Sequence, residues 1–238
     1  MIKNLKRLYV TEKDLSFISY LHAVKVATYE QIQRDTYPRL ALGTVCNRVR
    51  KFHDNGLVEI NHGRLLLDGK RLVSLSKKAF KVFIQTGEEV RVELKSDSPK
   101  HDLELCDIRS RMLTRPSILV YKTENEIQTW PNPMSCLNSD ALIHYRIGSE
   151  QFRIPVEYER VSKTSRRYEG FISKYYEDDS TACTLVITEN QNQISKLMAF
   201  EHHLFPTSKS KLFFATLQDV LESGEIRFKN RQQIQLVI

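Results

Sequence analysis

The sequence predicts a mixed α/β protein in two parts, α+β overall, and three observations predict it. The first 100 residues carry 19 Lys and Arg against 11 Asp and Glu, whereas residues 101–238 carry 17 against 18. Residues 11–56 show helical spacing and helix-capping signals, and two strand-like runs follow them. Beyond residue 100, helical segments alternate with apolar strands. All the excess positive charge therefore belongs to the first part, which indicates a polyanionic partner for it.

The composition is that of a soluble, non-membrane protein. Of 238 residues, 41% are hydrophobic and 27% are charged, and no apolar run approaches the roughly 20 residues of a membrane span. The N-terminal stretch MIKNLKRLYVTEKDL lacks the features of a signal peptide, so we expect a cytoplasmic protein. The four cysteines share no CxxC spacing and no nearby His pair, which argues against zinc and for reduced thiols, three of them buried.

Three helices are predicted in the basic part. Thr11 precedes the first, in which Leu15, Ile18 and Leu21 have helical spacing. Thr28-Tyr-Glu-Gln has the form of a capping box and opens a short second helix that stops before a proline. The third helix runs through LALGTVCNRVRKFHDNG and ends at its Asn-Gly pair.

The third helix has two distinct faces. Val45, Val49 and Phe52 are spaced for a buried face. The other face offers donors for phosphates and base edges, namely Thr44, Asn47, Arg48 and Lys51.

A hairpin with its turn at Asp68-Gly69 follows the third helix and carries Arg64, Lys70 and Arg71. Helix, helix, basic helix and hairpin within residues 1–86 resemble a winged helix-turn-helix. The resemblance implies that the third helix enters a major groove of double-stranded DNA while the wing touches flanking phosphates. Winged helices also dock proteins, in which case the basic residues of the third helix simply face water.

The charged, aperiodic stretch 87–100 is the predicted linker to a second domain over 101–238. That domain reads as a helix from His101, one or two strands in SILVYKTENEIQTW, a hairpin around Gly148, and then alternating helices and strands. This order resembles the core of the PD-(D/E)xK nuclease fold, familiar from restriction endonucleases, in which acids at the ends of core strands converge on one or two Mg²⁺ ions.

Three carboxylates match that pattern. Asp140 begins one strand, and Glu157 and Glu159 end the next, on the same face because strand residues two apart point the same way. Buried like charges repel, so such a cluster requires a cation, for which Mg²⁺ or Mn²⁺ is the candidate. The alternative is an ion-paired rim of a sheet without any metal.

This chain departs from the PD-(D/E)xK motif at the basic residue, because the motif places Lys where this chain has Glu159. Some members of the fold carry the base on the following helix, which makes Lys174 the candidate catalytic cation, with Lys163 and Arg160 as alternatives.

Over nearly its full length the chain resembles the replication-relaxation family, which includes MobC-type relaxases of mobilisable plasmids. The resemblance is carried by the first part, by H-x-L-x-L-x-D-I-R from His101 to Arg109, by Asp140, by V-E-x-E-R ending at Arg160, and by a Lys-Tyr helix. It implies a mobile-element protein that nicks or relaxes an origin, with relaxosome or replication proteins as partners. It also implies supporting roles for His101 and Asp107, although the family favours Asp where this chain has Glu159.

A tyrosine nucleophile is also compatible with such chemistry, and the tyrosines nearest the acids in sequence are Tyr158, Tyr168, Tyr175 and Tyr176. Two hypotheses follow. The protein is either a metal-dependent nickase guided by its winged helix, or a non-catalytic regulator or relaxosome accessory with a degenerate nuclease fold. A palindromic DNA site would indicate a homodimer.

Overall fold

A computed structural model describes residues 8–62, 69–85, 94, 96–128, 139–179 and 181–238. The chain is mixed α/β and divides into two compact units, Met1–Asp107 with Asn125–Pro133, and Ile108–Glu124 with Met134–Ile238. The division falls inside a helix, whereas most of the predicted linker 87–100 lies outside the described residues. None of the described helices combines the length and apolar character needed to cross a membrane.

The first unit contains helices, a π-helical turn and a three-stranded antiparallel sheet. Its elements are α1 (Glu12–Val24), β1 (Val26–Thr28), α2 (Tyr29–Thr36), α3 (Leu42–Asp54), β2 (Val58–His62), β3 (Arg71–Leu75), α4 (Lys77–Ala79), the π-helical turn Phe80–Ile84, and the first half of α5 (Pro99–Leu113). The sheet order is β1-β3-β2, so β3 pairs with both neighbours. The strand β1 was not foreseen because its three residues are too few to show an alternation.

Capping explains where the first helices begin. Thr11 with Asp14, and Thr28 with Gln31, each form a complete capping box, which satisfies amide donors that the helix itself leaves unpaired. The third helix ends before Gly56, whose φ of +69° is accessible to glycine at low cost. The predicted starts of α1 and α2 and the end of α3 are therefore confirmed.

The buried face of α1 differs from the prediction at one position. Leu15 is 44% exposed, while Phe17, Ile18 and Leu21 are fully buried. The buried stripe begins at Asp14, one residue before the predicted one, and Phe17 packs edge-on against Phe52 of α3. An acid can start a buried stripe here because its charge is paired inside the unit.

Asp14 forms the central ion pair of the first unit. Its carboxylate accepts hydrogen bonds from the Arg48 guanidinium and from the Tyr37 hydroxyl. Burial acts to raise the pKa of Asp14, but the bonds from Arg48, Thr11 and Tyr37 together outweigh it and hold that pKa below its ordinary value. The bonds therefore stabilise the fold at neutral pH, and their contribution is lost as the pH falls through the lowered pKa.

Replacing Asp14 by Asn is expected to lower the free energy of unfolding at pH 7 by about 3 kcal/mol, because it leaves the Arg48 charge without its partner. Urea denaturation of Asp14→Asn measures the change. Asp54→Asn, an exposed acid at the end of α3, serves as the control and should change stability by less than about 0.5 kcal/mol. Equal, small effects of the two substitutions would contradict the assigned role.

The second unit contains a seven-stranded mixed sheet with helices. After the second half of α5 come β4 (Ile118–Thr123), α6 (Glu124–Gln128), β5 (Ala141–Ile147), β6 (Glu150–Glu159), α7 (Ser165–Glu177), β7 (Thr184–Thr188), α8 (Gln191–Leu204), β8 (Leu212–Thr216), α9 (Leu217–Glu222), β9 (Arg227–Lys229) and β10 (Gln235–Val237). Most of α6, from Asn125 on, belongs to the first unit. The predicted hairpin around Gly148 is confirmed as β5 and β6. In the stretch predicted to hold one or two strands, the described residues form one strand, β4, followed by the helix α6.

Sheet order is β10-β9-β8-β7-β6-β5-β4. Strands β4, β5 and β6 form an antiparallel meander, and β7 and β8 run parallel to β6. Helices α7 and α8 pack on β7 and β8 through an apolar cluster that includes Tyr168, Tyr175 and Leu197. Because α7 connects two parallel neighbours, its inner face lies next to the carboxyl end of β6.

Candidate functional site

The start of β5 and the end of β6 bring the three predicted carboxylates together. Ala141 pairs with Val156 in the β5–β6 register, so Asp140 stands beside the last residues of β6. The Tyr158 backbone N–H donates to Asp140 Oδ2 at 2.7 Å. That amide lies between Glu157 and Glu159, and the contact ties the predicted acids to one place.

Glu157 is held by two residues of α7. The Tyr175 hydroxyl donates to Glu157 Oε1, and Lys174 Nζ lies 3.6 Å from the same oxygen. Lys174 Nζ is also 3.5 Å from the Tyr175 hydroxyl and 4.9 Å from the centre of its ring. The predicted basic residue of the following helix therefore does reach the first of the two glutamates.

Glu159 is held by the loop that follows β6. The residue is only 3% exposed, and its carboxylate forms an ion pair with Lys163. The Lys163 backbone N–H donates to the Tyr168 hydroxyl at 3.0 Å, which fixes the loop against α7. Lys163 and Lys174, two of the three basic candidates considered from the sequence, each compensate one glutamate.

The three acids influence one another electrostatically. Burial, followed by repulsion from Asp140, raises the pKa of Glu157 to about 8, against the lowering effects of Tyr175 and Lys174. Burial and the same three carboxylates also raise the pKa of the Tyr175 hydroxyl well above its ordinary value. Tyr175 is therefore a hydrogen-bond donor at neutral pH.

Each glutamate of the cluster has a lysine as its present charge partner. Among the described residues, no three Asp, Glu, His or Cys side chains form a preassembled metal-binding group. Magnesium, however, commonly takes one or two protein carboxylates and completes its shell with water and substrate phosphate oxygens. Glu157, Glu159 and Asp140 supply that type of oxygen ligand, and the two lysine ammonium groups stand where positive charge is required.

Proton release from Glu157 gives a testable pH dependence. Its pKa rises from 4.5 to about 8 on folding, so the folded protein binds more protons than the unfolded chain between these values, and stability falls as pH rises. Urea denaturation in EDTA at pH 5.5 and pH 8 should show a loss of about 2–4 kcal/mol in the wild type and little of it in Glu157→Gln. Parallel behaviour of the two proteins would contradict the assignment.

Other predicted residues of the second part have different surroundings. Asp107 belongs to the first unit, where its carboxylate binds Arg34 at 2.6 Å and Gln31 at 2.9 Å. His101 lies in the first turn of α5 with Nδ1 3.2 Å from Asp102. Tyr158 donates to Glu189 at 3.0 Å from the opposite side of β6. These contacts account for Asp107 and Tyr158 as structural residues.

Two further candidates are accounted for in the same way. Tyr176 donates to the buried Glu201 at 2.7 Å. Arg160 follows Glu159, and its carbonyl accepts a hydrogen bond from Gln193 at 3.4 Å.

The predicted DNA-contacting face of α3 is exposed at Thr44, Asn47 and Lys51. Arg48 requires a correction. Its Nε and Nη2 bind Asp14, and Nη2 also donates to the Tyr9 carbonyl at 2.6 Å, so we reassign it from DNA contact to holding α1 against α3. Spacing alone could not reveal this, because the partner lies 34 residues away.

Two of the three predicted DNA-contacting residues of the hairpin lie among the described residues. Lys70 and Arg71 are exposed, and Arg64 lies outside the described residues. Burial raises the pKa of the Tyr29 hydroxyl, and the nearby Arg71 and Arg50 charges act against that rise. Arg50, also exposed on α3, lies to one side of the predicted polar face and was not among the predicted DNA contacts.

Comparisons of the chain with protein-family models, with curated proteins and with solved structures gave no match. The functional argument therefore depends on the geometry of the two units.

Proposed function

We propose that the protein binds double-stranded DNA in a sequence-specific manner through its first unit and nicks it with a divalent metal ion held by its second unit. The observation that carries the proposal is the cluster of Asp140, Glu157 and Glu159, compensated by Lys163 and Lys174. Buried acids grouped around one strand end contribute nothing to a simple hydrophobic core, whereas they are the ligands a phosphodiesterase requires.

Support for DNA binding comes from the first unit. It contains two helices, then the exposed polar helix α3 and a β2–β3 pair, an order that resembles a winged helix-turn-helix. The face of α3 presents an amide, a hydroxyl and a lysine, the donors used for base edges and phosphates. The surplus of positive charge also lies in this part of the sequence.

Support for nuclease chemistry comes from the topology of the second unit. An antiparallel meander, a helix and a parallel strand follow α5, as in the PD-(D/E)xK core. The acids lie at the start of β5 and the end of β6, which resembles the arrangement of acids in this core, and Lys174 approaches Glu157 from the next helix.

The residues of the site have distinct roles in this proposal. Glu157 and Glu159 would hold the ion with Asp140, and the ion would activate a water and offset charge on the phosphate. Tyr175 orients the Glu157 carboxylate by donating a hydrogen bond. Lys174 would neutralise a phosphate oxygen once Glu157, its present partner, binds the ion. Glu157 releases its proton near pH 8, so the affinity for the ion rises with pH up to that value.

Selection of duplexes from a random pool, followed by a nicking assay, tests the proposal. A supercoiled plasmid carrying the selected sequence should become open circular with Mg²⁺ or Mn²⁺ and remain supercoiled with EDTA. Binding to no duplex in the pool would overturn DNA recognition, and binding without nicking would overturn the catalytic part.

One observation favours a second candidate, a non-catalytic regulator or relaxosome accessory. Both glutamates are already paired with lysines, so the cluster is also compatible with a degenerate site that holds the fold together. This candidate predicts a retarded DNA band with every divalent ion and no open circles with any.

A role in plasmid mobilisation or replication extends the first proposal and rests on the family resemblance of the sequence. It predicts that the selected binding site occurs at an origin and that relaxosome or replication proteins bind the same DNA. Footprinting of the purified protein on DNA adjoining its gene tests the extension, and a symmetric footprint would indicate a homodimer.

A further inference from the structure

The segment that joins β6 to α7 concentrates positive charge beside the three acids. Residues 160–167, RVSKTSRR, contain four Lys or Arg and no Asp or Glu, although residues 101–238 as a whole carry 17 basic against 18 acidic residues. We call residues 160–167 the basic segment. A local excess of this kind in an otherwise balanced domain indicates an anionic partner.

The basic segment is held by hydrogen bonds at its first residue and at Lys163. Gln193 Nε2 donates to the Arg160 carbonyl at 3.4 Å, and the Lys163 backbone N–H donates to the Tyr168 hydroxyl at 3.0 Å. Tyr168 itself is buried in the apolar cluster between α7 and α8. The charges are therefore presented from a supported loop and the first turn of a 13-residue helix.

The four cations differ in their present contacts. Lys163 is paired with Glu159 at the edge of the acid cluster. Arg166 and Arg167 are exposed, and within the described part of the chain neither forms an ion pair. These two guanidinium groups lie within a few residues of Lys163, the residue that contacts Glu159.

From this arrangement we infer that the basic segment binds phosphates of the DNA backbone next to the acid cluster, with Arg166 and Arg167 as the contacting residues. Guanidinium groups bind phosphate oxygens in a bidentate manner, and a strand anchored there would pass the carboxylates. The inference rests on the proposed function and adds to it a DNA-binding surface in the second unit, besides the α3 face of the first.

A salt titration of DNA affinity tests the inference. Fluorescence anisotropy with the full-length protein and a selected duplex, in EDTA, gives the slope of log K against log[salt]. Each lost phosphate contact should reduce that slope by about 0.9. For Arg166→Ala/Arg167→Ala we therefore expect a reduction of about 1.8 and an affinity at least about fivefold lower at 0.15 M salt.

Two variants serve as controls. Lys196→Ala/Lys209→Ala removes the same charge from exposed positions elsewhere in the unit and should leave the slope and the affinity near those of the wild type. Arg166→Lys/Arg167→Lys keeps the charge and should keep most of the slope. Circular dichroism checks that all three variants remain folded.

The outcomes distinguish a failure of this inference from a failure of the proposed function on which it rests. If the wild type binds DNA and the arginine pair behaves like the lysine control, the surface is not a DNA contact, although DNA binding by the first unit stands. If the wild type binds no DNA, the proposed function itself fails, and the inference with it.

Discussion

Glu157→Gln is expected to reduce divalent-metal-dependent nicking at least about a hundredfold while changing DNA affinity less than about twofold. The amide cannot carry the negative charge that holds the ion, and loss of metal stabilisation is worth several kcal/mol in such reactions, each 1.36 kcal/mol being tenfold in rate. The fold should survive, because glutamine has the shape of the protonated acid that burial and Asp140 favour, and its carbonyl can still accept from Tyr175.

Glu169→Gln is the matched control for this experiment. Glu169 lies exposed on α7, and its substitution removes the same charge without touching the acid cluster. Plasmid conversion is followed on gels under single-turnover conditions, and anisotropy in EDTA gives the DNA affinity. Full activity of Glu157→Gln, or equal losses in the two variants, would contradict the assignment of Glu157.

Asn47→Ala and Lys51→Ala are expected to weaken DNA binding in different ways. An Asn that pairs with a base edge contributes about 1–3 kcal/mol of discrimination, so Asn47→Ala should lower affinity for the selected duplex about 5- to 150-fold and leave affinity for unrelated DNA nearly unchanged. A phosphate-contacting Lys acts on every sequence, so Lys51→Ala should weaken binding to both and reduce the salt slope by about 0.9.

The control for the α3 variants is Lys13→Ala, an exposed lysine on α1. It should reproduce neither effect. If Lys13→Ala matches Lys51→Ala, the contribution is one of general charge, and α3 is not the recognition helix. Arg48→Ala is unsuitable as a DNA-contact probe because it would leave the buried Asp14 without its charge partner.

Local patterns in the sequence predicted most of the secondary structure. The capping box at Thr28 and the stop at Gly56 fixed helix ends through backbone chemistry within a few residues. The buried face of α3 followed from spacing, and Val45, Val49 and Phe52 are all inaccessible to solvent. The positions of Asp140, Glu157 and Glu159 at strand ends followed from the alternation of β5 and β6.

Features that depend on contacts distant in sequence could not be predicted this way. The spacing of α3 assigned Arg48 to the polar face, whereas in the structure its guanidinium group binds Asp14. Asp107 was grouped with the acids of the second part, although Arg34 and Gln31 bind it in the first unit. The identity of the glutamate partners was open among three basic residues, because the reach of a lysine depends on how α7 packs on the sheet.

The most direct test of the account is a crystal structure of the protein bound to its selected duplex with Mn²⁺, with anomalous data collected at the manganese edge. The account predicts an anomalous peak coordinated by Glu157 or Glu159 together with Asp140, next to a DNA phosphate, with Lys163 and Lys174 displaced from the glutamates. Bound DNA with no manganese at these acids, and with both lysine pairs intact, would contradict it.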